Sequence, residues 1–215
     1  MTDFLYPFIE GDEDDLDALL DDLATSVRDK ASTSDRLRAT TLGEAASHID
    51  RTAAAIARRL VAGGQLFTFG NGGSSTDATT LATLFACPPY GRALPARALV
   101  EDSAVLTALG NDVGFSLVFS RQLIAHARPG DVAVGFSTSG NSEDLLVAFA
   151  EASRRDLLTV GFAGYDGGDM GRAGLDHCLV VGSDSVHRIQ EVQAALAFAV
   201  WRGVQGKLAT VDVDG

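Results

Sequence analysis

From residue 65 onward, five short apolar runs alternate with segments of helical character, and this alternation decides the fold class. The runs cover 65–69, 96–100, 131–136, 157–162 and 178–181, and each is nearly continuous in apolar residues. A strand with one face in water alternates apolar and polar side chains; a strand covered on both faces does not. The intervening segments, 75–85, 103–109, 115–127, 142–154 and 185–204, read as crossover helices. Such a chain is expected to form an α/β fold, a doubly wound five-stranded parallel sheet flanked by helices. Ligands of that architecture gather at the carboxyl ends of the strands.

Two helices are expected ahead of the sheet. Leu16, Leu19, Leu20, Leu23 and Val27 recur at helical spacing over 13–30. Thr33-Ser34-Asp35 reads as a break and a new cap. A second helix to residue 62 carries Ile49, Ala53, Ile56 and Leu60 on one face, and Gly63-Gly64 ends it. The resulting division is an acidic N-terminal segment over 1–33, a domain over 34–206 and a flexible, frayed tail over 207–215. With 215 residues, 46% of them hydrophobic, one substantial core is expected.

A net charge of −12 argues against a nucleic-acid partner. Glu10, Asp12, Glu13, Asp14, Asp15, Asp17, Asp21 and Asp22 concentrate that charge. They read as a solvated helix N-terminus favoured by the dipole, or as a docking tail for a basic partner. No run of about 18 apolar residues suits a membrane span, and the first residues lack the pattern of a signal peptide. A cytoplasmic protein with no membrane partner is expected. Cys87 and Cys178 stand far apart with no metal-ligand spacing, as expected of two reduced, buried thiols.

Two strand ends carry the chemistry. The first strand runs into Gly70-Asn71-Gly72-Gly73-Ser74, where glycines let backbone amides approach an anion at a helix N-terminus. The spacing is neither a dinucleotide fingerprint nor a P-loop, and a plain glycine turn accounts for this loop equally well. The third strand runs into Ser137-Thr138-Ser139-Gly140-Asn141-Ser142. One hydroxyl suffices to cap a helix, and four exceed that need. Together with the helix N-terminus they can hold a phosphate without lysine or arginine.

Residues 137–142 resemble the signature loop of sugar isomerase (SIS) domains. Gly70-Asn71-Gly72-Gly73-Ser74, Gly110-Asn111-Asp112, Phe119-Ser120-Arg121, Arg128-Pro129-Gly130-Asp131 and Arg188-Ile189-Gln190-Glu191 resemble the phosphoheptose isomerase branch. The blocks run in order from about residue 40 to 204. The resemblance implies a flavodoxin-like parallel sandwich whose N-terminal helices join subunits, usually as a homotetramer. It places a phosphate grip on Ser137, Thr138, Ser139 and Ser142. Sugar contacts fall on Asn71, Gly72, Gly73, Ser74, Asn111, Asp112 and Gln190, and the implied ligand is a phosphorylated sugar such as sedoheptulose 7-phosphate.

The departures from the family fall on its chemistry. The family's first-helix metal histidine falls on Thr80, its catalytic glutamate on Leu84 and its last-helix histidine on Phe198; of the four metal-site positions only Gln190 keeps the family's residue. No zinc or other cofactor is therefore expected, and the leading expectation is a phosphosugar binder. An enzyme using His187, Glu191 or Asp102 as acid or base is the alternative, since an imidazole titrates near neutrality; His187 reads more readily as an exposed residue at a helix start. Asp77 is considered beside them and reads equally as a first-turn charge favoured by the dipole. His48, His126 and His177 lie away from the expected site. The loop 87–91 reads as a rigid connection, and 166–170 as a cap and turn or a second binding helix start. A third reading is a regulatory tetramer, because one family branch resembles the factor that binds the bacterial replication initiator.

Overall fold

The fifth residue of the first strand lies opposite the fifth of the third, and that pairing organises the sheet. The computed structural model describes residues 16–211. Five parallel strands, β1 (Leu66–Gly70), β2 (Ala96–Ala98), β3 (Val132–Ser137), β4 (Leu158–Gly164) and β5 (His177–Val181), stand in the order β2-β1-β3-β4-β5. Leu66 lies opposite Val132, and Gly70 opposite Phe136. The chain leaves β1 toward β2 on one side, then returns across it to β3, β4 and β5 on the other. The order therefore reverses between β1 and β3, and this is the crevice where doubly wound sheets take ligands.

Every residue of β1, β3 and β4 is buried, in accord with their unbroken apolar runs. Thr68, the one polar side chain of β1, is satisfied by donating to the carbonyl of Ala78, 2.7 Å away. One face of the sheet is covered by α2 (Ala46–Val61), α3 (Gly73–Ala86) and α8 (Val186–Val211), around Trp201, Phe136 and Phe162. The other is covered by α5 (Val118–His126), α6 (Glu143–Arg154) and α7 (Gly168–Arg172), around Phe67, Phe69, Phe119 and Phe149. Between β2 and α5 lie α4 (Ser103–Asp112) and a single 3-10 turn, Phe115–Leu117.

The expected break at Thr33-Ser34-Asp35 is absent. α1 runs unbroken over Leu16–Glu44, so the division at residue 33 falls inside a helix. Ser32 and Thr33 return their hydroxyls to the carbonyl of Asp29, at 3.0 and 2.7 Å, instead of capping a new helix. The change of direction comes at Ala45, where the Ala45 and Ile49 amides still bond to Thr41 and Ala45 carbonyls. Most of the acidic run, and the expected helix start at residue 13, lie outside the described residues. The expected fraying from Lys207 is also corrected over the described part. α8 continues to Val211, Leu208 is buried, and Lys207 meets Asp50 at 2.7 Å. Residues 212–215 lie outside the described range.

Both cysteines are free, but only one is sheltered. Cys178 is half-buried, and burial pushes its thiol up to about 11. Cys87 is exposed, contrary to expectation, because it stands at the last turn of α3 with its amide on the Thr83 carbonyl. The connection that follows is anchored to α8: Tyr90 packs 4.9 Å from Trp201, and Gln205 bonds both the amide and the carbonyl of Arg92. Among the described residues, no helix is long and apolar enough to cross a membrane.

Candidate functional site

The loops after β1 and β3 face each other across the crevice. In the second, the Ser137 hydroxyl lies 3.4 Å from that of Ser139 and 3.1 Å from that of Ser142. The sequence brings them together because Ser137 ends β3 in the buried sheet and Ser142 is the N-cap position of α6. The four residues between them must then turn back, and Gly140 makes the turn at φ +67°. A β-carbon there would also strike the carbonyl of Gly167. The Gly140 amide donates to Ser137 Oγ at 3.1 Å, and the Asn141 amide to Ser139 Oγ at 3.2 Å. Three hydroxyls and the first amides of a twelve-residue helix thus converge at one point, an uncharged cradle for an anion. Thr138 sits half-buried between them.

The glycine-rich segment 166–170 braces this cradle. The amides of Asp169 and Met170, in the first turn of α7, donate to Asn141 Oδ1 and to the Gly140 carbonyl, each at 2.8 Å. The helix-start amides there serve the hydroxyl loop, and α7 itself, five residues long and rich in glycine, has no periodic pattern by which the sequence would show it.

Across the crevice, Gly72 is the N-cap of α3, two residues earlier than expected. Ser74 is buried, and its amide bonds to the Asn71 carbonyl at 2.9 Å. Asn71 reaches the other loop, where its Nδ2 lies 3.0 and 2.9 Å from the two oxygens of Asp144. Gln190 comes in from α8 and lays its Nε2 on Gly73 so closely that a β-carbon at 73 could not fit. Asn71, Gly72, Gly73, Ser74, Gln190 and the four hydroxyl residues therefore belong to one constellation. Asn111 and Asp112 are exposed at the end of α4, bonded to each other at 2.8 Å.

The acid and base candidates separate. Asp102 is the N-cap of α4, accepting from the Val105 amide at 3.0 Å. It opens on a different recess, shared with Arg97, Glu101, Ser103 and Gln122 beside the edge strand. His187 and Glu191 are exposed on the first turns of α8. Asp77, whose two readings the sequence leaves level, is the candidate that the structure shelters. Gly73, Asp77, Thr80 and Leu84 follow at steps of four, three and four, which places them on one stripe of α3. Asp77 Oδ2 is buried without a hydrogen-bond partner, and burial pushes the carboxyl up to about 6. Further along the stripe, the exposed Thr80 donates its hydroxyl to the Thr76 carbonyl at 2.8 Å, and Leu84 packs on the core that holds Trp201. On α8, Phe198 is 41% exposed with its ring 5.3 Å from Trp201.

These features define a class before they define a protein. Residues 31–164 match the family described as SIS domain, which is more than half of the chain, so the chain belongs to the SIS-domain family. Its place within that family follows from its relatives. It is 45% identical over 183 residues to the phosphoheptose isomerase of Desulfovibrio desulfuricans, covering 82% of either chain. To the phosphoheptose isomerase of Paramagnetospirillum magneticum it is 46% identical, over 70% of this chain and 79% of that one. The solved phosphoheptose isomerase of Neisseria gonorrhoeae superposes with a TM-score of 0.81 at 34% identity, over 86% of this chain and 99% of that one. The chain is a member of the phosphoheptose isomerase branch of SIS-domain proteins.

Proposed function

We propose that this chain binds a phosphorylated sugar in the β1/β3 crevice and has set aside the zinc-dependent isomerisation of its family. The convergence of the Ser137, Ser139 and Ser142 hydroxyls on the α6 N-terminus carries the binding reading. Hydroxyls and helix amides complete hydrogen bonds to phosphate oxygens while the helix dipole favours the charge. The sugar would extend toward Asn71, Gly73 and Gln190. The named relatives support the same class of ligand and, at the coarser level, a sugar-phosphate isomerase lineage.

The side chains at the family's metal positions support the loss of zinc. Leu84 and Phe198 offer no donor atom, and the Thr80 hydroxyl is spent on its own helix. Gln190 alone would have to hold an ion that takes four ligands. Aldose–ketose isomerisation also needs a placed base, and Leu84 cannot accept a proton. One observation favours a second reading, that of an enzyme. Asp77, with a buried, unpartnered oxygen on the stripe that carries Thr80 and Leu84, has its carboxyl raised to about 6, toward the range where a general base works best.

Calorimetry with sedoheptulose and its 7-phosphate tests the binding reading; equal affinity for the two would overturn it. The proposed assembly is a cytoplasmic homotetramer. Leu20 and Val27 of α1, 54% and 64% exposed, call for a second subunit.

A further inference from the structure

Among the described residues, Asp144 is the one charged side chain in the crevice that is sealed from water, at 4% exposure. It stands in the first turn of α6, directly after the hydroxyl loop, and its carboxylate also reaches Asn71 on the opposite loop. Both of its oxygens lie on Asn71 Nδ2, at 3.0 and 2.9 Å. An ionised carboxylate only accepts hydrogen bonds, so it can meet only the amino end of an amide. That fixes which way round the Asn71 side chain stands, a choice that otherwise has to be assigned. An amide at position 144 would present either of two ends, whereas a carboxylate presents one. Asn71 Oδ1 is left without a hydrogen-bond partner among the described residues, at the mouth of the crevice where Asn71 is half-buried. Burial raises the Asp144 carboxyl, and the hydrogen bonds from Asn71 and from the Leu145 amide oppose the rise. The tie is charge-assisted, and therefore among the stronger hydrogen bonds of the site.

We propose that Asp144 is a positioning residue: it holds Asn71 with the amide oxygen turned to the ligand, so that this corner of the pocket selects a hydroxyl group that donates. The assignment rests on the phosphosugar reading above. It makes Asn71 a reader of the sugar, distinct from the phosphate grip of Ser137, Ser139 and Ser142. A carbonyl or carboxylate presented at the same point would meet an acceptor and be rejected.

The experiment compares affinities for sedoheptulose 7-phosphate and inorganic phosphate in the full chain. It adds exchange rates of the Asn71 side-chain amide protons measured by NMR. Asp144→Ala is expected to lower the ratio of sugar-phosphate to phosphate affinity about tenfold and to speed exchange of the Asn71 protons. Asp144→Asn, which can still accept from Asn71 but can also present its amino end, is expected to recover only part of both. Asn71→Ala is expected to reproduce the fall in the ratio, and adding Asp144→Asn to it not to deepen the fall, so the inference stays testable if Asp144→Ala does not fold. Equal loss of both ligands in Asp144→Ala, or Asp144→Asn no better than Asp144→Ala, would overturn the proposal. Asn71 protons that exchange as fast as those of an exposed asparagine in the unaltered chain would do the same. An unaltered chain that binds inorganic phosphate but no phosphosugar, with Asn71 protected, overturns the phosphosugar reading and the hydroxyl assignment while leaving the tie in place.

Discussion

Replacing Asp77 by asparagine should make the protein more stable, and the gain should depend on pH. Asp77 is half-buried with one oxygen sealed and unpartnered, and its carboxyl is raised from 3.8 to about 6. Each pH unit of that rise corresponds to about 1.4 kcal/mol, so the ionised form costs at most about 3 kcal/mol. The exposed part of the side chain is screened by water, which reduces the figure to about 1–2 kcal/mol. The sign follows from linkage: with its folded value above its unfolded value, the group costs nothing below pH 3.8. The cost grows as pH rises through about 6 and is complete above it. Asp77→Asn removes the charge and keeps the shape. At pH 7.5 it should raise Tm by about 2–8 °C, at about 2–4 °C per kcal/mol for a chain of this size. At pH 4 the two melting curves should nearly coincide. Differential scanning calorimetry of both proteins from pH 4 to 8 provides the comparison. A Tm difference that is constant across the range, or a less stable variant at pH 7.5, would refute the reasoning. A carboxylate kept at such a cost belongs to the kind of site where stability is given up for function.

Ser139→Ala should weaken phosphosugar binding by roughly 1.5–3 kcal/mol, about tenfold or more, without unfolding the chain, as calorimetry and circular dichroism would show. With sedoheptulose 7-phosphate the protein should show no zinc-dependent turnover; product formation near one per second that a chelator abolishes would contradict the lost-metal reading. Turnover that a chelator spares and Asp77→Asn abolishes would establish the enzyme reading instead. His48 and His177, their rings 5.5 Å apart, are both held below the ordinary histidine value, chiefly by burial. Their lowered values mean that stability is complete above pH 6.5 and falls as pH drops below it, and His48→Gln should flatten that part of a Tm–pH curve. Light scattering at micromolar concentration should give a tetramer mass, and Leu20→Lys with Val27→Lys should lower it; a monomer before substitution would refute the assembly.

What the sequence reveals here is set by how local each cause is. The strands are legible because burial on both faces leaves continuous apolar runs, and Val132 to Phe136 needs no distant residue to be recognised. The hydroxyl cradle is legible for the same reason, being six consecutive residues. The break expected at 33–35 fails because the cap residues Ser32 and Thr33 have a second option within a helix, the carbonyl of Asp29. The two readings of Asp77 stay level in the sequence because its burial comes from tertiary packing, to which local helix chemistry gives no clue. The Asn71–Asp144 tie spans 73 residues and joins the first loop to the start of α6, which only the β1–β3 pairing brings together. Cys87 shows the converse: an apolar residue type says little about exposure at the end of a helix.

α8 is the last described element, and it both closes one face of the sheet and lays Gln190 on Gly73. During synthesis the hydroxyl loop and the glycine loop leave the ribosome well before it. Until α8 emerges, Phe136, Phe162 and the inner faces of α2 and α3 have nothing over them where Ile189, Val192, Leu196, Val200, Trp201 and Val204 will pack. Such a nascent chain exposes a broad apolar surface and is a substrate for chaperones. A truncation before residue 186 should therefore yield aggregate rather than a weakened binder. On the proposed reading, the contact of Gln190 becomes available only once α8 is in place, so a phosphosugar would stabilise the finished fold more than its earlier stages.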